Sequence, residues 1–88
     1  MRIWRIKTSS YFEKRYKRLP QDIKEKAKEK EKIFRKDCFD QRLRTHRLRG
    51  KEKGAWAFWI DYHYRLKFIF LNDEEVLFLE VGTHKIYK

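Results

Sequence analysis

Three histidines are the side chains of this 88-residue chain best suited to move protons: His46, His63 and His84. The imidazole group in general has a reference pKa of about 6.5, so it serves as a base in one step and as an acid in the next. The single cysteine, Cys38, has no partner for an internal disulfide, and the Cys and His residues lack the spacing of a zinc site. We therefore expect acid–base chemistry with no metal and no other cofactor.

The charge balance indicates which partner that chemistry would act on. The chain holds 24 Lys and Arg against 13 Asp and Glu, a net charge of +11. Such an excess favours nucleic acid first, an acidic protein second and an anionic membrane surface third. The basic residues along 24–36 and 42–49 predict RNA binding without sequence preference, and an affinity that falls steeply with salt. No apolar run approaches the roughly 18 residues of a membrane span, and we expect the reducing cytoplasm as the setting.

The N-terminal half has the pattern of a strand followed by a helical hairpin. Residues 1–7 predict a strand, and Ser10 with Glu13 predicts a capping box at the start of a helix over 10–18. Pro20 suits the first turn of a second helix, which runs to about Lys36. Residues 37–50 show no clear period and are interpreted as a connector, with Leu43 and Leu48 tucked onto the core.

The C-terminal half alternates apolar and polar side chains in the manner of strands. The pattern predicts strands over 55–62, 64–71 and 75–81, with a hairpin turn at 72–74 and an end at Gly82. A tail or a single helical turn follows. One domain results, over residues 1–88: a two-layer α+β fold in which the N-terminal strand and helical hairpin pack on a mainly antiparallel sheet. We expect Arg65 and Lys67 to face outward on the uncovered side of that sheet.

Four segments, in order, carry a family resemblance. They are His46-Arg-Leu-Arg-Gly50, Gly54-Ala-Trp-Ala-Phe-Trp-Ile-Asp61, Tyr64-Arg-Leu66 and Val81-Gly-Thr-His84-Lys-Ile-Tyr87. Together they resemble the RelE/ParE toxin superfamily, and most of all its RelE, HigB and YafQ branch. The resemblance implies a microbial-ribonuclease-like fold, a cognate antitoxin of a type II toxin–antitoxin system, and cleavage of messenger RNA on the ribosome.

Cleavage of RNA without a metal needs a base for the ribose 2′-OH, positive charge at the phosphate and an acid for the leaving 5′ oxygen. The resemblance implies His84 as the first candidate for acid or base and His46 as a second. His63 is a further candidate, at a turn between strands where similar sequences often have an acidic residue. The resemblance also implies that Arg65 holds two phosphate oxygens with its planar fork, and that Tyr87 stacks on a base or donates a proton. The structural alternatives are a histidine that caps the terminal turn, a connector histidine, an exposed turn residue, and an ion pair of Arg65 with an acidic neighbour, Asp61 or Glu80.

RNA contacts are expected from basic and aromatic side chains around these candidates. Lys51 and Lys53 resemble the basic turn that approaches the RNA backbone, Arg49 and Lys67 add positive charge, and one of the tryptophans, Trp59, could stack on a base. The strand position at which the family usually has arginine is also Trp59, which removes one expected phosphate contact.

Two other functions fit the same sequence. A ParE-like inhibitor of DNA gyrase would share the fold, although such chains usually lack the Gly-Thr-His ending. A non-catalytic RNA-binding domain would share the charge and the exposed sheet. If the protein is a toxin, whether a nuclease or a gyrase inhibitor, we expect an acidic antitoxin to cover its basic surface and the free chain to be a monomer.

Overall fold

The described residues form five strands and two α-helices in the order strand, helix, helix, then four strands. Their bounds are β1 Arg5–Thr8, α1 Ser10–Lys17, α2 Gln21–Lys36, β2 His46–Arg47, β3 Ala55–Trp59, β4 Tyr64–Phe70 and β5 Glu75–Thr83, with 3-10 helices at Gln41–Leu43 and His84–Tyr87. The computed structural model describes residues 1–50 and 54–87, with side chains as far as Ile86. No helix within these ranges is both long and apolar enough to cross a membrane.

The strands form one sheet in the order β1-β5-β4-β3-β2. β1 pairs with β5 in parallel, and the remaining neighbours pair antiparallel. A parallel pair needs a long crossover, and here the helical hairpin and the rest of the sheet lie between the two strands in sequence. The prediction of a two-layer α+β fold is confirmed.

The core lies between the helices and one face of the sheet, which we call the core face. Phe34 of α2 is fully buried at its centre. Its ring centroid lies 4.9 Å from that of Phe58, 5.0 Å from Phe68 and 5.7 Å from Phe78. These three rings come from β3, β4 and β5, so one helix side chain ties three strands together. Leu43 is fully buried as well, as the sequence predicts.

Several predicted element boundaries are wrong by a few residues. Helix α1 is capped by Ser9 rather than Ser10: the Ser9 hydroxyl accepts from the N–H of Phe12 at 3.0 Å, while Glu13 accepts from Thr8. The connector contains the short strand β2, because its residues pair with β3. Strand β5 runs through Gly82 to Thr83, because β4 continues to pair with it there.

The face of the sheet opposite the helices, here the second face, is more closed than the sequence predicts. The expectation that Arg65 and Lys67 point outward is wrong, since each is only 7% exposed. The C-terminal 3-10 helix returns over this face, with the Ile86 carbonyl 3.5 Å from the Lys67 ammonium. A Cβ at Gly82 would lie 2.9 Å from the Ile86 side chain, so glycine is what lets this helix approach the sheet.

Candidate active site

Two of the three histidines lie side by side at the end of the β4–β5 ladder. The last pair of that ladder is Tyr64 with Thr83, and His63 and His84 are the next residues along the two chains. The His84 N–H donates to the His63 carbonyl at 3.1 Å, and both side chains are exposed. This backbone bond joins the turn before β4 to the start of the C-terminal 3-10 helix, so both exposed imidazoles belong to the same end of the sheet. We call this pair the histidine corner.

Asp61 organises the turn that carries His63. Its Oδ1 accepts from the backbone N–H groups of His63 at 2.9 Å and Tyr64 at 2.8 Å, and its Oδ2 lies 3.4 Å from the Lys26 ammonium. Burial alone would raise the pKa of Asp61, but these hydrogen bonds and Lys26 outweigh it and hold the pKa below its usual value. The signal for this role in the sequence is an aspartate two residues before His63, since aspartate side chains often accept the N–H two residues on. The sequence alone suggested Asp61 as an ion-pair partner of Arg65.

Arg65 lies beneath the turn rather than in solvent. Its Nη1 donates to the carbonyl oxygens of Asp61 at 2.7 Å and Tyr62 at 2.7 Å. The predicted ion pair with the Asp61 carboxylate is therefore replaced by bonds to the backbone. The Arg65 Nε is buried and has no hydrogen-bond partner within the described part of the chain. Because Arg65 pairs with Gly82 and Tyr64 with Thr83, Arg65 lies two residue pairs along the ladder from the histidine corner.

Trp59 is held between arginines. The guanidinium carbon of Arg65 lies 3.8 Å from the centre of the Trp59 ring, and that of Arg44 lies 4.5 Å from it. Arg65 approaches from β4, and Arg44 from the segment before β2 on the other side of β3. We call these three side chains the Trp59 stack. A base could stack on Trp59, as the sequence suggested, only if a guanidinium moved away.

The Trp59 stack continues through aromatic rings to the histidine corner. The ring of Tyr62 lies 6.0 Å from that of Trp59 and 5.1 Å from that of His63, both in edge-on geometry. Tyr62 is 73% exposed. Its exposed ring therefore offers a base a stacking surface beside the corner, a role that the sequence did not single out.

His46 lies apart from the other two histidines. It sits on β2 opposite Ala57, three strands away from β5, which is about 14 Å at normal strand spacing. Its Nδ1 lies 2.9 Å from the Arg44 carbonyl oxygen. Since a carbonyl only accepts, Nδ1 carries the hydrogen and Nε2 carries the lone pair in the neutral ring.

The other predicted RNA contacts have different outcomes. Arg49 is exposed, just beyond β2. Lys67 is buried and paired with Glu80, with 3.1 Å between the ammonium nitrogen and the carboxylate. Lys51 and Lys53 lie outside the described residues, and so does the side chain of Tyr87.

The remaining candidates for chemistry are structural. Cys38 is buried, and burial raises the pKa of its thiol, so the thiolate that a nucleophile requires is disfavoured. Within residues 1–50 and 54–87, His, Cys, Asp and Glu form no group of three or more that could hold a metal ion. The groups suited to acid–base chemistry that lie together are the two imidazoles of the histidine corner, with the Arg65 guanidinium bonded to the adjoining turn.

The structure is similar to several solved toxins. No protein family profile and no curated protein sequence matches this chain. YafQ from the E. coli DinJ–YafQ toxin–antitoxin complex superposes with a TM-score of 0.73 at 22% identity, covering 92% of each chain. The YoeB/ParE toxin from Agrobacterium tumefaciens gives 0.76 at 14% identity, covering 92% of this chain and 99% of that one.

A third relative comes from an archaeon. RelE in the RelE–RelB complex from Pyrococcus horikoshii OT3 gives a TM-score of 0.71 at 15% identity, covering 91% of this chain and 93% of that one. The identities are low and the coverage is nearly complete, so the agreement lies in the arrangement of helices and strands. This chain therefore has the fold of the RelE, YafQ and YoeB toxins.

Proposed function

We propose that this protein is the toxin of a type II toxin–antitoxin pair, an endoribonuclease that cleaves messenger RNA on the ribosome. The observation that carries the proposal is the backbone hydrogen bond between His63 and His84 at the end of the β4–β5 ladder, two residue pairs from Arg65. Two exposed imidazoles beside a fixed positive charge are the groups that metal-free RNA cleavage needs.

The reaction follows from the chemistry of RNA. One imidazole takes the proton of the ribose 2′-OH, and the 2′ oxygen attacks the adjacent phosphorus. The bond from phosphorus to the 5′ oxygen breaks, and that oxygen receives a proton from the second imidazole. The products are a 2′,3′-cyclic phosphate and a free 5′-OH. Arg65 stabilises the additional negative charge on the phosphate, and His46 lies too far along the sheet to exchange protons with the same group.

The remaining predicted contacts extend this site. Arg49, Lys51 and Lys53 are proposed to hold the RNA backbone, and Tyr87 to contact a base. With a net charge of +11, the protein should bind ribosomal RNA and message strongly at low salt.

The same charge favours an acidic protein as inhibitor. YafQ and RelE, which share this fold, were solved in complex with the antitoxins DinJ and RelB. We propose that an acidic antitoxin binds this chain and neutralises its basic surface, and that the free chain is a cytoplasmic monomer.

The test is cleavage of a message by purified protein in the presence of translating ribosomes, with the new 5′ ends mapped by primer extension. We expect His84→Ala and His63→Ala each to lower kcat by about 100-fold or more, since general acid–base groups contribute about 10²–10⁴-fold. The matched control is Lys85→Ala, an exposed neighbour in the same 3-10 helix, which should retain kcat within a few-fold.

Three results would contradict the proposal. Inhibition of gyrase supercoiling with an intact message would assign a ParE-like activity on the same fold. RNA binding without new message ends, even with translating ribosomes, would leave a non-catalytic RNA-binding domain. Cleavage that survives both histidine substitutions would show that the histidine corner is not the catalytic site.

A further inference from the structure

Arg44 combines features that no other described arginine shares. It is the one non-glycine residue of the described ranges with a left-handed backbone, at φ 51° and ψ 39°. Residues with a Cβ rarely adopt this region, and their presence there suggests a local function. Its side chain is exposed, and no carboxylate of the described residues lies within ion-pair distance of it.

Two contacts hold Arg44 in place from the sheet side. Its guanidinium lies on Trp59, 4.5 Å from the ring centre, and its carbonyl accepts from His46 Nδ1 at 2.9 Å. A guanidinium that stacks on an aromatic ring keeps its N–H edge available for a phosphate. The buried charge of Arg65 on the same ring adds positive potential at this position.

We propose that Arg44 is an RNA-binding residue that contacts a backbone phosphate of the substrate strand. This inference deepens the proposed function, because it names a binding residue of the same site. The rings of Trp59 and Tyr62 lie between Arg44 and His63, so Arg44 contacts a phosphate further along the strand than the one at the histidine corner. The contact with Trp59 thus places the positive charge of Arg44 beside the end of β3.

The chain contains a matched control at the other end of the sheet. The guanidinium of Arg2 lies 4.3 Å from the ring centre of Trp4, and both side chains are exposed. Trp4 bonds to Glu74 at the β4–β5 turn, the end of the ladder away from the histidine corner. Arg2→Gln and Arg44→Gln therefore remove the same charge and the same kind of stacking contact at opposite ends of the sheet.

The experiment measures the dissociation constant for single-stranded RNA over a range of salt concentrations. One lost phosphate contact lowers the slope of log K against log salt by about 0.7. We expect this change for Arg44→Gln and no change for Arg2→Gln. On translating ribosomes, Arg44→Gln should lower kcat/KM by about 10-fold, and Arg44→Lys by less because the charge remains.

A second variant distinguishes a loss of RNA binding from a loss of folding. Glycine adopts a left-handed backbone readily, so Arg44→Gly should keep or raise the melting temperature while it loses RNA affinity as Arg44→Gln does. Equal salt slopes and equal cleavage for Arg44→Gln and Arg2→Gln would overturn the inference. A loss of affinity for a polyglutamate peptide without a loss for RNA would overturn it too, and would assign Arg44 to a protein interface.

The outcomes separate this inference from the proposed function. If the wild-type protein cleaves message and Arg44→Gln behaves like Arg2→Gln, only the role of Arg44 fails. If the wild-type protein cleaves no message but Arg44→Gln alone lowers the salt slope, the nuclease assignment fails and the phosphate contact stands.

Discussion

The two faces of the sheet are both largely closed to solvent, but they are built from different chemistry. The core face is lined by Phe58, Phe68 and Phe78, which pack around Phe34 of the helix layer. The second face buries Arg65 and Lys67. Apolar burial stabilises a fold directly, whereas buried charge costs free energy unless it is paired or hydrogen-bonded. The core face therefore stabilises the fold through apolar packing, and the second face holds the buried charged side chains that lie next to the candidate site.

The largest expected effect concerns the core face. Phe34→Ala removes a fully buried ring that contacts rings from three strands. Such truncations cost about 3–5 kcal/mol, so we expect the free energy of unfolding in urea to fall by that amount. A loss below 1 kcal/mol would show that the helix layer is not the main source of stability.

The next effect concerns the arginine of the second face. Arg65→Lys removes the Nη1 group that bonds to the Asp61 and Tyr62 carbonyls, and lysine lacks the planar fork. We expect the free energy of unfolding to fall by about 2–3 kcal/mol. Protection of the His63 amide from hydrogen exchange should fall as well, because the turn that carries His63 loses its support. Unchanged protection at His63 would contradict this account of the turn.

A smaller effect is expected for the buried ion pair. Glu80→Gln removes the carboxylate that lies 3.1 Å from the Lys67 ammonium, in a site where lysine is 7% exposed. We expect a loss of about 1–2 kcal/mol in urea unfolding, because Glu80 retains some solvent contact. The double variant Lys67→Met/Glu80→Leu should recover most of it, since matched apolar residues often replace buried pairs without loss. No recovery would mean that the pair has a role beyond neutralising Lys67.

The smallest effect concerns Asp61 and depends on pH. Its pKa is held below the usual value in the folded state, so its charged form stabilises the fold above the unfolded pKa of about 3.9. That contribution is lost as the pH falls from about 4 through the lower folded pKa. Asp61→Asn should lower stability by about 1 kcal/mol at pH 7, and the two unfolding curves should converge towards pH 2. A difference that is constant with pH would exclude this role of the carboxylate.

The sequence predicted the α+β class and the order of β1, the two helices and β3 to β5, since alternation and helical spacing are local patterns, but it missed the two-residue strand β2. It also selected His63 and His84 as candidates for proton transfer. It could not predict that Arg65 and Lys67 are buried, because the alternation of a strand assigns a face and says nothing of what covers that face. The C-terminal 3-10 helix covers it, and the missing Cβ of Gly82 leaves room for the Ile86 side chain of that helix.

The sequence of this protein thus determined which reactive side chains are present, and the tertiary structure decided which of them lie next to one another. The chain supplies three equivalent imidazoles, and strand pairing alone places two of them together and the third about three strands away. The same pairing brings Arg44 and Arg65, 21 positions apart, onto the ring of Trp59. Such contacts join residues distant in sequence, and no local periodicity records them.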